Sequence, residues 1–194
     1  MAVNINAASG GRVARRSIAA TSTGRMWVAI GDDTANKIEM WYSDDSGATW
    51  TENTSAEFTW TGGTTAHFAL FIDADDHAHI VYDTSTPSLE YRRNKSISTT
   101  SAWSSASTVD STTALAYEMP DLVAHREGTG WMAHVLYKRN TIGADPVLWA
   151  PITITSADVI TVGTKVTVDS DVGSATGTGG IDFHHTATDE KAIQ

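Results

Sequence analysis

Apolar residues along this chain come in short runs, alternating or continuous, each bounded by Gly, Asp, Ser or Thr. Such runs mark strands separated by turns, and helical spacing is scarcely visible anywhere. Strands are predicted over RMWVAI (25–30), KIEMWY (37–42), HFALFI (67–72), HAHIVY (77–82), SLEYRR (88–93), DLVAHR (121–126), WMAHVLY (131–137), VLWAPITI (147–154) and VITVGTKVTV (159–168). Trp, Val, Ile, Thr and Tyr dominate these runs, as suits a pleated, half-buried surface.

The runs repeat. AHIVYD (78–83) and AHVLYK (133–138) are near copies, and MWVAIG (26–31) fits the same frame with Trp27 where the others have His79 and His134. These frame positions lie 52 and 55 residues apart, room for four strands in each interval. A four-stranded unit recurring at roughly 40–50 residues is the pattern of β-propeller blades. The expected fold is therefore all-β, a propeller of four-stranded antiparallel blades with about three and a half blades present. Blade one is expected over 16–54, blade two over 66–110, blade three over 119–170 and part of a fourth over 180–194. Closure normally takes about 4–8 blades, so the segment is expected to be a fragment completed by further blades of the same or another chain.

Between the third and fourth strands of blade one lies SDDSGATW (43–50). Short hydroxyl and carboxylate side chains bond nearby backbone N–H groups, and Gly47 supplies turn geometry, so Ser43, Asp45, Gly47, Thr49 and Trp50 read as a hairpin cap that satisfies itself. The spacing S-x-D-x-G-x-T-W resembles the Asp-box, or BNR repeat, of sialidase-like β-propellers. That resemblance implies the fold and a peripheral, structural role for the box. In the second repeat the equivalent turn keeps only Tyr91 and Trp103, and the third has lost the motif.

The same resemblance sets an enzymatic alternative, a truncated sialidase-like exo-glycosidase acting on sialylated glycans. Sialidases grip a substrate carboxylate with an arginine triad. Arg16 matches the first arginine, without the proline that usually follows nearby, and Asp32 and Asp33 lie on the loop where the acid/base aspartate belongs. A guanidinium grips a carboxylate through two hydrogen bonds and a desolvated Asp serves as a general acid, but the triad is not completed and the Tyr/Glu nucleophile pair would lie beyond residue 194. The leading expectation is a non-enzymatic recognition or structural module binding a glycan or protein surface. Its style resembles propellers of bacteriophage tail proteins and secreted bacterial proteins, so a virion-associated or extracellular setting is expected.

Composition narrows this further. With 13 Lys+Arg against 23 Asp+Glu and a net charge of -10, the chain has no basic footprint for nucleic acid. No apolar run is long enough for a membrane helix, no classical signal peptide is visible, and cysteine is absent, which removes disulfides and thiol chemistry. Asp73, Asp75 and His77 in DADDHAH resemble a calcium loop but lack its Gly and distal Glu, so a polar turn is expected. His79 and His134 are expected to pack between blades, and His184–His185 find no third ligand. No metal and no cofactor is expected. Propeller loops at the channel mouth carry function, which makes Arg16, His67, Asp83, Glu118, Lys138 and Arg139 the ligand-binding candidates. Trp41, Trp60 and Trp149 are candidates for an aromatic face.

Overall fold

The computed structural model describes residues 17–32, 34–59, 67–84, 88–97, 103–112, 116–141 and 145–170, with the backbone alone of strands at 11–12, 182–186 and 189–193. Three antiparallel sheets follow one another along the chain. In the first, β1 (Gly11–Arg12) and β2 (Ile18–Ala20) pair with β3 (Met26–Asp32), β3 with β4 (Lys37–Ser43), and β4 with β5 (Thr51–Glu52) and β6 (Phe58–Thr59). The second is a four-stranded meander of β7 (Phe68–Ile72), β8 (Ala78–Asp83), β9 (Leu89–Asn94) and β10 (Ser107–Asp110). The third runs β11 (Ala116–Glu127), β12 (Gly130–Asn140) and β13 (Val147–Ile154), with β14 (Ile160–Val162) and β15 (Val166–Asp169) both on β13. A hairpin of β16 (Asp182–Thr186) and β17 (Asp189–Ile193) comes last. No α-helix occurs among the described residues.

The sheets stack face to face. Phe68, Leu70, Ile72, Ile80 and Tyr82 of the second sheet pack with Trp27, Ala29, Ile38 and Met40 of the first. Its alternate residues, Ala69, Val81, Leu89 and Tyr91, pack with Leu122, Ala124, Val135, Tyr137, Ala150 and Ile152 of the third. Being covered on both faces explains why HFALFI reads as a continuous apolar run rather than an alternating one. Burying a side chain such as Met40 or Leu70, neither of them exposed, stabilises by about 1.5–3 kcal/mol. First strands neighbour first strands, β2 beside β7 and β7 beside β11, while the outer β10 lies beside β14. That is the fan of propeller blades.

Two of the expected strands take a different form. The run 159–168 is split, because Pro151 in the middle of β13 has no N–H for the ladder and Gly163 crosses there instead, its N–H donating to the Pro151 carbonyl at 2.8 Å. β11 begins at Ala116 rather than 121. A bulge between Glu118 and Asp121, with Met119 at φ 49 and Pro120 beside it, hides the earlier residues from an alternation count.

Candidate functional site

The connections after the first and third strands of each sheet lie at one end, here the turn end, and those after the second and fourth at the other, the loop end. Asp32 and Asp83 end the second strands of their sheets and Lys138 lies two residues before the end of β12; of the binding candidates from the sequence, His67 and Glu118 meet two of these residues. Asp32 is buried and its Oδ1 accepts the N–H groups of Thr34 at 2.7 Å and Ala35 at 2.9 Å, so it caps its own loop. Arg16, Asp33 and Trp60 lie outside the described residues.

His67 and Asp83 are brought together. The His67 N–H donates to Asp83 Oδ1 at 3.3 Å and the ring Nδ1 lies 3.4 Å from Oδ2. Burial raises the Asp83 pKa, with His67 opposing the shift. Glu118 and Lys138 also meet, as directly paired residues of β11 and β12, with Nζ 3.4 Å from Glu118 and 3.0 Å from Asp145. Those carboxylates raise the Lys138 pKa, the hydrogen bond to Asp145 foremost. His67 and Glu118 are partly exposed, whereas Asp83 and Lys138 are buried.

Arg139 does not join them. Alternation turns it to the opposite face of β12, where it meets Asp110, a residue the sequence reading missed. The Asp110 carboxylate accepts from Tyr137 Oη at 2.8 Å, Arg139 Nη2 at 2.5 Å, Lys165 Nζ at 2.7 Å, and the Thr112 N–H and hydroxyl at 3.0 and 2.8 Å. Burial favours its protonated form, but the bonds from Lys165 and Arg139 hold its pKa well below the carboxylate range. A carboxylate so saturated is a structural anchor between the second and third sheets, with no lone pair left for chemistry. Its signal in sequence was faint: an Asp before two Ser/Thr residues at a strand end.

The turn ends hold the other sequence candidates. Asp45 Oδ1 accepts the Ser43 hydroxyl and the Thr49 N–H, each at 2.8 Å, and Oδ2 accepts the Thr49 hydroxyl at 2.6 Å. The Gly47 N–H donates to Ser43 Oγ at 2.8 Å, Gly47 has φ 88, and Trp50 Nε1 donates to the Gly47 carbonyl at 3.1 Å, laying the indole over the turn. In the second sheet Asp73 caps its turn and reaches His77 and His79. His79 is fully buried between sheets, and His134 stacks between His125 and Trp149. Trp41 Nε1 donates to Glu39.

Among the described residues one group of carboxylates, Glu39, Glu52 and Glu57, is close enough to share an ion, within 4.8 Å. The Lys37 ammonium sits among them at 3.2, 3.5 and 3.0 Å and supplies the cation itself.

No protein-family model and no curated protein matches the sequence. Solved structures do. The NanB sialidase of Streptococcus pneumoniae is 17% identical with a TM-score of 0.56, over 78% of this chain and 23% of that one. The intramolecular trans-sialidase of Ruminococcus gnavus is 15% identical with a TM-score of 0.56, over 89% of this chain and 34% of that one. An exo-β-1,3-galactanase of Clostridium thermocellum is 12% identical with a TM-score of 0.54, over 90% of this chain and 41% of that one. The chain thus spans less than half the length of each. Its fold is like that of the sialidase-type β-propellers, several antiparallel sheets following one another, of six, four and five strands in the first three.

Proposed function

We propose that this chain is a non-enzymatic recognition module that binds glycan at the loop ends of its blades. One observation carries this reading: at the loop ends partly exposed His67 is set against buried Asp83 and partly exposed Glu118 against buried Lys138, while Arg139 is consumed by Asp110. Sugar hydroxyls are held by such preset polar groups. The kinship in fold with glycan-processing propellers supports a carbohydrate ligand. We further propose that residues 43–50 are an Asp-box with a structural role, that blades of the same or another chain complete the ring, and that the module works on a virion tail or outside the cell.

A second reading, a sialidase-like exo-glycosidase, is favoured by one feature, the raised pKa of the buried Asp83, which suits a general acid. Two measurements on the full-length protein separate the readings. Glycan-array binding lost in His67→Ala and in Glu118→Ala, with no hydrolysis of a fluorogenic sialoside, supports recognition. Hydrolysis abolished by Arg16→Ala establishes the enzyme. Wild-type array binding in both rim variants removes the proposed rim.

A further inference from the structure

Where the second sheet meets the third at the turn end, one nitrogen stands between two partners that make opposite demands on it. His77 Nδ1 lies 3.1 Å from Asp73 Oδ2 and 2.8 Å from Arg93 Nη2. A carboxylate calls for a proton on that nitrogen, whereas a guanidinium, which only donates, calls for a lone pair. Both cannot hold at once. With Arg93 at 2.8 Å the ring is neutral and carries its proton on Nε2. Asp73 Oδ2 meanwhile accepts from the buried His79 at 3.0 Å.

Arg93 carries the state of His77 across to the third sheet. Its side chain lies over the Trp131 ring of β12 at 4.1 Å and pairs with Asp158, in the turn between β13 and β14. Trp131 is the meeting point: the His77 ring stands edge-on to it at 4.9 Å, Arg126 lies over it at 5.6 Å, and its Nε1 donates to Asp75 at 3.0 Å. Among the described residues the charges around His77 balance. Asp73 and Asp75 in its own turn and Asp158 across the joint face Arg93 on β9, Lys95 just after it and Arg126 on β11. Asp76 turns away to Ser22 of the first sheet, and burial keeps His79 neutral. A proton on His77 therefore adds a net positive charge to a balanced cluster, and it lands beside Arg93. The His77 side chain is 14% exposed, so water reaches it.

We propose that His77 is a proton-operated latch in the joint between the second and third sheets. Neutral, it accepts from Arg93 and fixes the guanidinium over Trp131. Protonated, it donates Nδ1–H to Asp73, drops the Arg93 bond and repels the guanidinium at the same contact. Arg93 is then left to Asp158, and its stack on Trp131 loosens. Histidine changes charge between about pH 5 and 8, so the latch is shut above that window and open below it. The device lies at the end of the sheets away from the loop-end rim and does not depend on what binds there.

NMR of the isotope-labelled protein tests this without any ligand. At about pH 8 the His77 ring should show a bare Nδ1 and a protonated Nε2. As the pH falls to about 5 the Trp131 indole N–H should titrate with the same midpoint as His77 itself. The stacked population, read by the NOE between the Arg93 δ-methylene and the Trp131 ring, should fall about tenfold, the worth of one hydrogen bond to a charged group. The amide of His77→Gln can still accept from Arg93 but takes up no proton, so in this variant Trp131 should lose its titration and the NOE should persist in acid. A proton on Nδ1 at the alkaline end, a Trp131 midpoint apart from that of His77, or an NOE unchanged across the range would each overturn the proposal. So would a Trp131 titration that survives in His77→Gln. Should that variant unfold, the wild-type midpoints and NOE decide alone.

Discussion

The Asp73 carboxylate and the His79 imidazole meet at 3.0 Å inside the second sheet, with 1% and 0% of the two side chains exposed. The other Asp73 oxygen accepts the N–H groups of Asp75 and His77 at 2.9 Å each, so one residue closes a turn and anchors a buried ring. With His79 Nε2–H given to Asp73, its Nδ1 accepts the Tyr91 hydroxyl at 2.5 Å. Burial lowers the His79 pKa despite Asp73, which keeps the ring neutral. Asp73→Ala strands a buried imidazole and two turn amides, and should cost about 2 kcal/mol or more. Urea unfolding reads this as a lower midpoint at unchanged slope; an unmoved midpoint would show that water already satisfies the network.

The cap at residues 43–50 should weaken in acid. Hydrogen bonds from the Thr49 hydroxyl and N–H and from Ser43 lower the Asp45 pKa from 3.8 to about 2. A depressed carboxylate contributes stability that is complete above its unfolded pKa and lost as pH falls through the folded one. Hydrogen exchange of the Thr49 amide should therefore quicken, relative to neighbouring strands, between pH 3.8 and about 2. Asp45→Ala should show the fast exchange at every pH.

His134 has the opposite chemistry and the same direction. Burial, with the charge of His125, lowers its pKa from 6.5 to about 4. Between those values the unfolded chain binds a proton that the folded chain refuses, so stability falls as pH drops through the window. Thermal melts from pH 7 to pH 4 should show this slope, and His134→Gln should flatten it. An equal slope in the variant would assign the effect to other groups.

Gly130 opens β12 where a Cβ would meet the Ile154 carbonyl oxygen at 2.3 Å. The obstacle is backbone of the paired strand, which cannot rotate aside. Gly130→Ala should destabilise by about 1–3 kcal/mol, measurable by chemical unfolding, whereas Gly24→Ala, with open space but φ 87, tests backbone strain alone. Equal stability of wild type and Gly130→Ala would mean that β12 and β13 can part at this end without cost.

Much of the architecture was legible because strands report themselves locally. Alternation, β-branched and aromatic residues and polar turns placed β3, β4, β8, β9 and β13, and the near copies AHIVYD and AHVLYK revealed that one sheet pattern recurs. The spacing of Ser43, Asp45, Gly47, Thr49 and Trp50 foretold a turn that bonds to itself, because every partner lies within a few residues of the others. The short outer strands escaped notice: two to four residues such as Thr51–Glu52 or Ser107–Asp110 carry too few positions to display a period.

Side-chain partnerships across sheets were decided only by the tertiary structure. Asp110 finds Arg139 and Lys165, and Asp158 finds Arg93 and Lys95, because blade stacking brings together strand ends that the chain keeps far apart. Side-chain period two explains the other division. Lys138 and Arg139 are neighbours in sequence yet face opposite sides of β12, one toward Glu118 and the other toward Asp110. Local composition determined which segments become strands and which turns hold themselves; which charges meet depended on register and stacking, since electrostatic pairing is set by distance in space and not by distance along the chain.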